Sequence, residues 1–150
     1  MGIQFTSKKV GELLKEGNLR IPSYQRPYKW NRKHIRNLFY DLRDAMEKKE
    51  YQVGSVIFHD NGGYLDIVDG QQRLISISLF LHSLEKLKDY EGANQLLGAE
   101  FGEISCYHAS ENYNEWENLT QLVGTSQAKE ICEFLLENCS ISCIIMPEER

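Results

Sequence analysis

No Cys-x-x-Cys pair occurs among Cys106, Cys132, Cys139 and Cys143, and only the last two lie close together, so zinc-finger spacing is missing. Reduced thiols in a cytoplasmic protein are the expectation. His34, His59, His82 and His108 are scattered without a His-x-x-x-His pair, which leaves a structural metal site without its usual ligand pattern. No apolar run approaches the roughly 18 residues that a membrane span needs, and the amino terminus lacks the basic-then-apolar order of a signal peptide. A membrane partner is not expected. Internal repeats and low-complexity linkers are also missing, so the 150 residues read as one globular domain, 1–150.

Acidic residues are absent from one further place. Between Arg20 and Arg36 stand Arg20, Arg26, Lys29, Arg32, Lys33 and Arg36 without one carboxylate, although the chain as a whole carries a net charge of -5. Residues 1–50 hold 12 Lys/Arg against 6 Asp/Glu, and residues 51–150 hold 5 against 16. Such a basic strip attracts polyanions, and Arg32, Lys33 and Arg36 are its candidate contacts to nucleic acid. A solvated helix face beside a turn accounts for the same residues equally well.

What is present gives an alternation of helices and strands. Thr6 or Ser7 can cap a short helix bearing Val10, Leu13 and Leu14, with Gly17 placed to end it. Pro22 and Pro27 keep residues 19–30 extended. Asn31 is a good N-cap for a helix over about 32–49, on which Ile35, Leu38, Phe39, Leu42, Ala45 and Met46 recur at helical spacing. Tyr51 to Phe58 and Tyr64 to Val68 read as two strands joined by a turn at Asp60-Asn61-Gly62-Gly63, and Gly54 marks a bulge or a close backbone approach. Leu74 to Leu87 mark an apolar helix to about residue 88. Residues 89–110 are read as a connection with a short helix near Ala93 to Leu97. Helices over 115–123 and 126–137 and a strand over 140–146 complete an α+β pattern, and the abrupt end after that strand suggests a fragment of something longer.

The chemistry concentrates in Asp69-Gly70-Gln71-Gln72-Arg73. A strand-to-helix turn offers free backbone N–H groups and the positive end of a helix dipole, which together suit an anion. Arg73 in the first helical turn opposes that dipole unless an anion pairs with it, or unless it pairs with Asp69 or Asp66. Gln71 and Gln72 bring amides suited to phosphate oxygens or to orienting a water. Asp69 beside a phosphate needs an intervening cation, for which magnesium is the natural choice; as the alternative it caps the following helix. The segment from Tyr24 to Trp30 interleaves aromatics and cations, which suits stacking on a base, although Tyr28 and Trp30 can equally be core anchors.

Ile-Pro-Ser-Tyr-Gln-Arg-Pro-Tyr-Lys-Trp at 21–30, Gly54-Ser55 and Ile-Val-Asp-Gly-Gln-Gln-Arg-Leu at 67–74 closely resemble the amino-terminal domain of GmrSD-type modification-dependent (type IV) restriction proteins. The resemblance covers residues 5–90 well and the remainder loosely. It implies a ParB/sulfiredoxin-like α+β fold with a small mixed sheet and packed helices. It also implies an antiviral NTP hydrolase, often acting on GTP among other nucleotides, coupled to cleavage of modified DNA by a separate His-Asn-His-type nuclease domain. Asp69, Gln71, Gln72 and Arg73 are then the catalytic candidates, with Asp69 on magnesium. Tyr24, Gln25, Arg26, Gly70, Gln72 and Arg73 are the nucleotide-binding candidates. Ile75-Ser76 depart from the family's Thr-Thr, and the later Phe-Glu-x-x-Asn-x-x-Gly stretch is missing. A domain cut short at its carboxyl end is therefore expected, one that binds nucleotide but turns it over slowly or not at all. A ParB-like DNA-binding module without turnover is the competing reading, and a homodimer is compatible with either.

Overall fold

The computed structural model describes residues 2–22, 27–48, 50–100 and 107–147. The chain opens with β1 (Gln4–Lys9), which runs directly into α1 (Val10–Lys15), so Thr6 and Ser7 are strand residues and the cap position falls at Lys9. The expected cap is wrong because β1 finds a partner strand from the far end of the sequence, and that pairing overrides local capping chemistry. β2 (Leu19–Arg20) is a two-residue strand.

α2 (Arg32–Ala45) starts as its sequence suggests. The Asn31 Oδ1 accepts from the Lys33 and His34 backbone N–H groups at 3.0 and 3.3 Å, and the His34 Nδ1 accepts from the Asn31 N–H at 3.1 Å. A 3₁₀ turn over Met46–Lys48 ends it. β3 (Tyr51–Asn61) and β4 (Tyr64–Asp69) form the hairpin, turning through Gly62 and Gly63 at φ 62° and 95°. α3 (Gln71–Ser83) is shorter than its apolar pattern implies, because the chain leaves the helix near Glu85 at φ 60° and Leu87–Asp89 form a separate 3₁₀ turn.

α4 (Glu91–Glu100) is longer than the expected short helix, and α5 (Tyr107–Val123) begins well before residue 115. α6 (Thr125–Asn138) and β5 (Cys139–Met146) follow their patterns closely.

The strand order is β1-β5-β3-β4-β2, with β1 antiparallel to β5, β5 parallel to β3, β3 antiparallel to β4 and β4 parallel to β2. This mixed sheet with packed helices is an α+β fold. One core joins Val53, Val56, Phe58, Ile67 and Ile141 of the sheet to Leu13, Phe39, Phe80, Leu96, Trp116 and Leu135 of the helices. Stacking of Phe80 on Trp116, 4.1 Å apart at 13°, ties α3 to α5 at its centre. Cys132, Cys139 and Cys143 are free and buried, and burial pushes the Cys132 and Cys139 thiols up to about 12, so they stay protonated and unreactive. Among the described residues no helix is long and apolar enough to cross a membrane.

Candidate functional site

Gly70 turns β4 into α3 at φ 99° and ψ 2°, a left-handed conformation that glycine adopts without penalty. A Cβ there would stand 2.9 Å from the Ser55 carbonyl oxygen and 3.0 Å from the Val56 Cα, so the turn is pressed against the middle of β3. No side chain caps α3. Asp69 is therefore not the N-cap that its type allowed; it ends β4 with an exposed carboxylate that has no hydrogen bond or ion pair among the described residues. Gln71 points inward and is buried.

Gln72 does something local chemistry could not foretell. Its Oε1 accepts from the Lys29 and Trp30 backbone N–H groups at 2.7 and 3.1 Å, and its Nε2 donates to the Pro27 carbonyl at 3.3 Å. One amide thus latches the 27–30 segment onto the first turn of α3. Behind the latch lies a buried polar chain. The Tyr28 hydroxyl and Ser76 Oγ are 2.5 Å apart, and Asn112 Nδ2 of α5 donates to the Tyr28 hydroxyl at 2.8 Å and to the Trp30 carbonyl at 2.6 Å. Trp116 Nε1 donates to the Ser76 carbonyl at 2.9 Å. Tyr28 is consequently a core anchor, 1% exposed, whereas Trp30 is only half-buried.

Arg73 takes neither of the partners its sequence context offered. Asp66 is engaged by Arg20, and Arg73 Nη1 donates instead to the Val53 carbonyl. Its guanidinium also lies against Gly54, whose Cβ position would be 3.2 Å from Nη1, at the point where the pairing of β3 with β5 shifts register. Gly54, at φ 137°, thus marks both the bulge and the close approach that its place in a strand suggested. The guanidinium carbon sits 5.5 Å from the Trp30 ring centroid, and His34 stacks on Trp30 at 5.1 Å and 17°.

Two adjoining cavities share Trp30 and His34 as walls. One, of about 190 Å³, is completed by Pro27, Lys29 and Gln72; the other, of about 200 Å³, is bordered by Asn37, Asp41, Tyr51 and Arg73. The Tyr51 phenol is held above its ordinary range, first by burial and then by Asp41, against the opposing pull of Arg73, so it remains a hydrogen-bond donor. The structure brings Gln72 and Arg73 to this cleft. Asp69, Gly70 and Gln71 border neither cavity, and Tyr24, Gln25 and Arg26 lie outside the described residues.

Three cations of the basic strip, Arg20, Arg32 and Arg36, face carboxylates within the fold. Arg36 Nε donates to Glu115 Oε2 at 2.9 Å, Arg32 lies 3.9 Å from Glu111, and Arg20 grips Asp66 through two bonds of 2.6 and 3.1 Å. Lys33 remains exposed. The acidic remainder of the chain supplies the counter-charges for its basic front. Among the described residues no group of three or more His, Cys, Asp or Glu side chains converges as a metal site. Asp69 stands as a single exposed carboxylate outside the lining of both cavities.

His34, Asn37 and Asp41 escaped the sequence reading as cleft residues. They stand at i, i+3 and i+7 on α2, on the polar border of its apolar stripe, so a pattern was there to be found. A search of curated proteins returns no match. The family model described as the GmrSD restriction endonuclease N-terminal domain matches residues 10–145.

Proposed function

Because the chain belongs to the family of GmrSD restriction endonuclease N-terminal domains, we propose that it is the nucleotide-binding unit of a restriction protein, with a nucleoside triphosphate held in the cleft around Trp30. The observation that carries this reading is the meeting of Lys29, Gln72 and Arg73 at one aromatic wall, next to a helix start that no side chain caps. Cations and uncapped backbone N–H groups suit phosphates, and Trp30 suits a base. Arg73 has five N–H donors and spends one on the Val53 carbonyl, which holds the guanidinium in place while leaving others for a ligand. Magnesium, if bound through Asp69, would screen the phosphates from that carboxylate and supply electrostatic stabilisation of their charge. In a restriction protein of this kind, turnover at this site would govern a nuclease domain acting on modified DNA.

Isothermal titration of this chain with GTP and with short duplex DNA, each with and without magnesium, tests the proposal. Saturable, magnesium-dependent binding of the triphosphate is expected. Silence toward nucleotides combined with DNA binding that falls steeply with salt would replace it with a DNA-binding module. Two of the three cations proposed for that role, Arg32 and Arg36, already face Glu111 and Glu115, which favours the nucleotide.

A further inference from the structure

We infer that His34 touches the ligand of this cleft, its Nε2–H donating to the phosphate chain where that chain passes between Lys29 and Arg73; the inference rests on the nucleotide reading above. Lys29 borders one cavity and Arg73 the other, and Trp30 and His34 are the residues the two cavities share. A run of phosphates that engages both cations therefore crosses the wall made by these two rings. Asp41, the carboxylate bordering the second cavity, stands seven residues further along α2, about 10 Å down the helix axis at about 1.5 Å per residue, so phosphates beside His34 are clear of it.

The tautomer of His34 follows from its hydrogen bond. The Asn31 backbone N–H donates to Nδ1 at 3.1 Å, and a ring nitrogen that accepts carries no proton. Turning the ring over would set a carbon against that N–H and leave it without its partner, so the same bond fixes which nitrogen is which. The single proton of the neutral imidazole is then on Nε2. Nε2 has no partner among the described residues, which leaves its N–H to a group from outside the fold. Stacking on Trp30, 5.1 Å between centroids at 17°, holds the ring from a second direction. A donor fixed before binding loses little freedom when a charged acceptor arrives, so most of the bond's strength appears as affinity.

Three variants separate the donor from the helix cap and from the ring. Asparagine places an amide oxygen near the position of Nδ1 and stops short of Nε2; glutamine carries an amide N–H out to Nε2; phenylalanine keeps a flat ring on Trp30 without either nitrogen. The test is titration calorimetry of the unmodified chain, His34→Gln, His34→Asn and His34→Phe with GTP and with ATP, in magnesium. His34→Gln should stay within about threefold of the parent. His34→Asn and His34→Phe should bind about tenfold or more weaker, by the same factor for both nucleotides because the contact is with the phosphates. His34→Asn keeps an acceptor for the Asn31 N–H, so its urea midpoint should match the parent's, which separates a lost contact from a frayed α2. Parent-like binding by His34→Asn and His34→Phe would overturn the inference and leave the proposed function standing. Weak binding by His34→Gln beside parent-like binding by His34→Phe would overturn it as well, assigning the role to stacking. Absence of binding of either triphosphate by the unmodified chain would remove both readings.

Discussion

Replacing Gly70 with alanine should destabilise this domain by about 3 kcal/mol, within a range of about 2–5 kcal/mol. Two separate costs add. A Cβ at φ 99° conflicts with its own backbone, worth about 1–2 kcal/mol. The same Cβ would meet the Ser55 carbonyl oxygen at 2.9 Å and the Val56 Cα at 3.0 Å, backbone atoms that cannot swing aside, and forcing them apart adds about 1–3 kcal/mol. Gly63 supplies the control, since it has a similar φ of 95° with nothing within 4 Å of its Cβ position. Gly63→Ala should therefore show the conformational cost alone. For a domain of this size about 3 kcal/mol lowers the melting temperature by about 6–12 °C. Thermal melts and urea titrations followed by circular dichroism measure both variants, with an unchanged urea slope showing that the denatured state is not what moved. A Gly70→Ala protein no less stable than Gly63→Ala would refute the close approach of the α3 turn to β3, and with it the geometry given to the cleft.

Gln72→Ala removes both accepted N–H bonds and the bond donated to the Pro27 carbonyl and should cost about 1–3 kcal/mol in urea unfolding, whereas Gln72→Glu keeps the acceptor, sets a carboxylate oxygen against the Pro27 carbonyl and should cost less than Gln72→Ala; a Gln72→Ala protein as stable as the parent would deny the latch. Arg20 and Asn61 hold the Asp66 carboxyl below its ordinary range, so its contribution to stability is complete above about pH 4 and is lost as pH falls through the lowered folded value. Asp66→Asn should flatten that acid limb of a stability profile, and an unchanged limb would assign acid unfolding to other carboxylates. Asp69→Asn should weaken triphosphate binding with magnesium more than without it, as read by calorimetry, because its role is through the cation. Arg73→Ala should weaken triphosphate binding by about 1.5–3 kcal/mol, and unaltered affinity would confine Arg73 to holding the β3 bulge.

Much of this was written in local sequence. The Gly70 turn, the Asn31 cap and the Gly54 bulge follow from residue type and neighbours. β1 was not legible, because Gln4 to Lys9 form an edge strand that is polar apart from Phe5 and stays almost wholly exposed even when paired with β5, so no buried face marks it in the sequence. The counter-charges of Arg32 and Arg36 were hidden for a related reason: Glu115 is 79 residues away from Arg36, and no periodicity links α2 to α5. Gln72 borders the cleft, but its amide is spent on the backbone of residues 27–30. An amide beside a motif looks the same in sequence whether it will meet a ligand or a neighbouring loop.

The sheet's strand order also dictates a schedule. β5 sits between β1 and β3, pairing Gln4 with Ile145 and Tyr51 with Cys139, so an interior strand of the sheet is the latest of these five to leave the ribosome. The hairpin of β3 and β4 and the helices α2 and α3 can form early from local contacts, but β3 must wait for its partner Cys139 opposite Tyr51, and β1 still longer for Ile145 opposite Gln4. During that interval β3 presents an unpaired edge beside Val53, Val56 and Phe58, the setting in which nascent chains aggregate or recruit chaperones. Refolding in vitro should accordingly be slower than the helical content suggests, with the helical signal appearing ahead of protection of the β3 amides from hydrogen exchange.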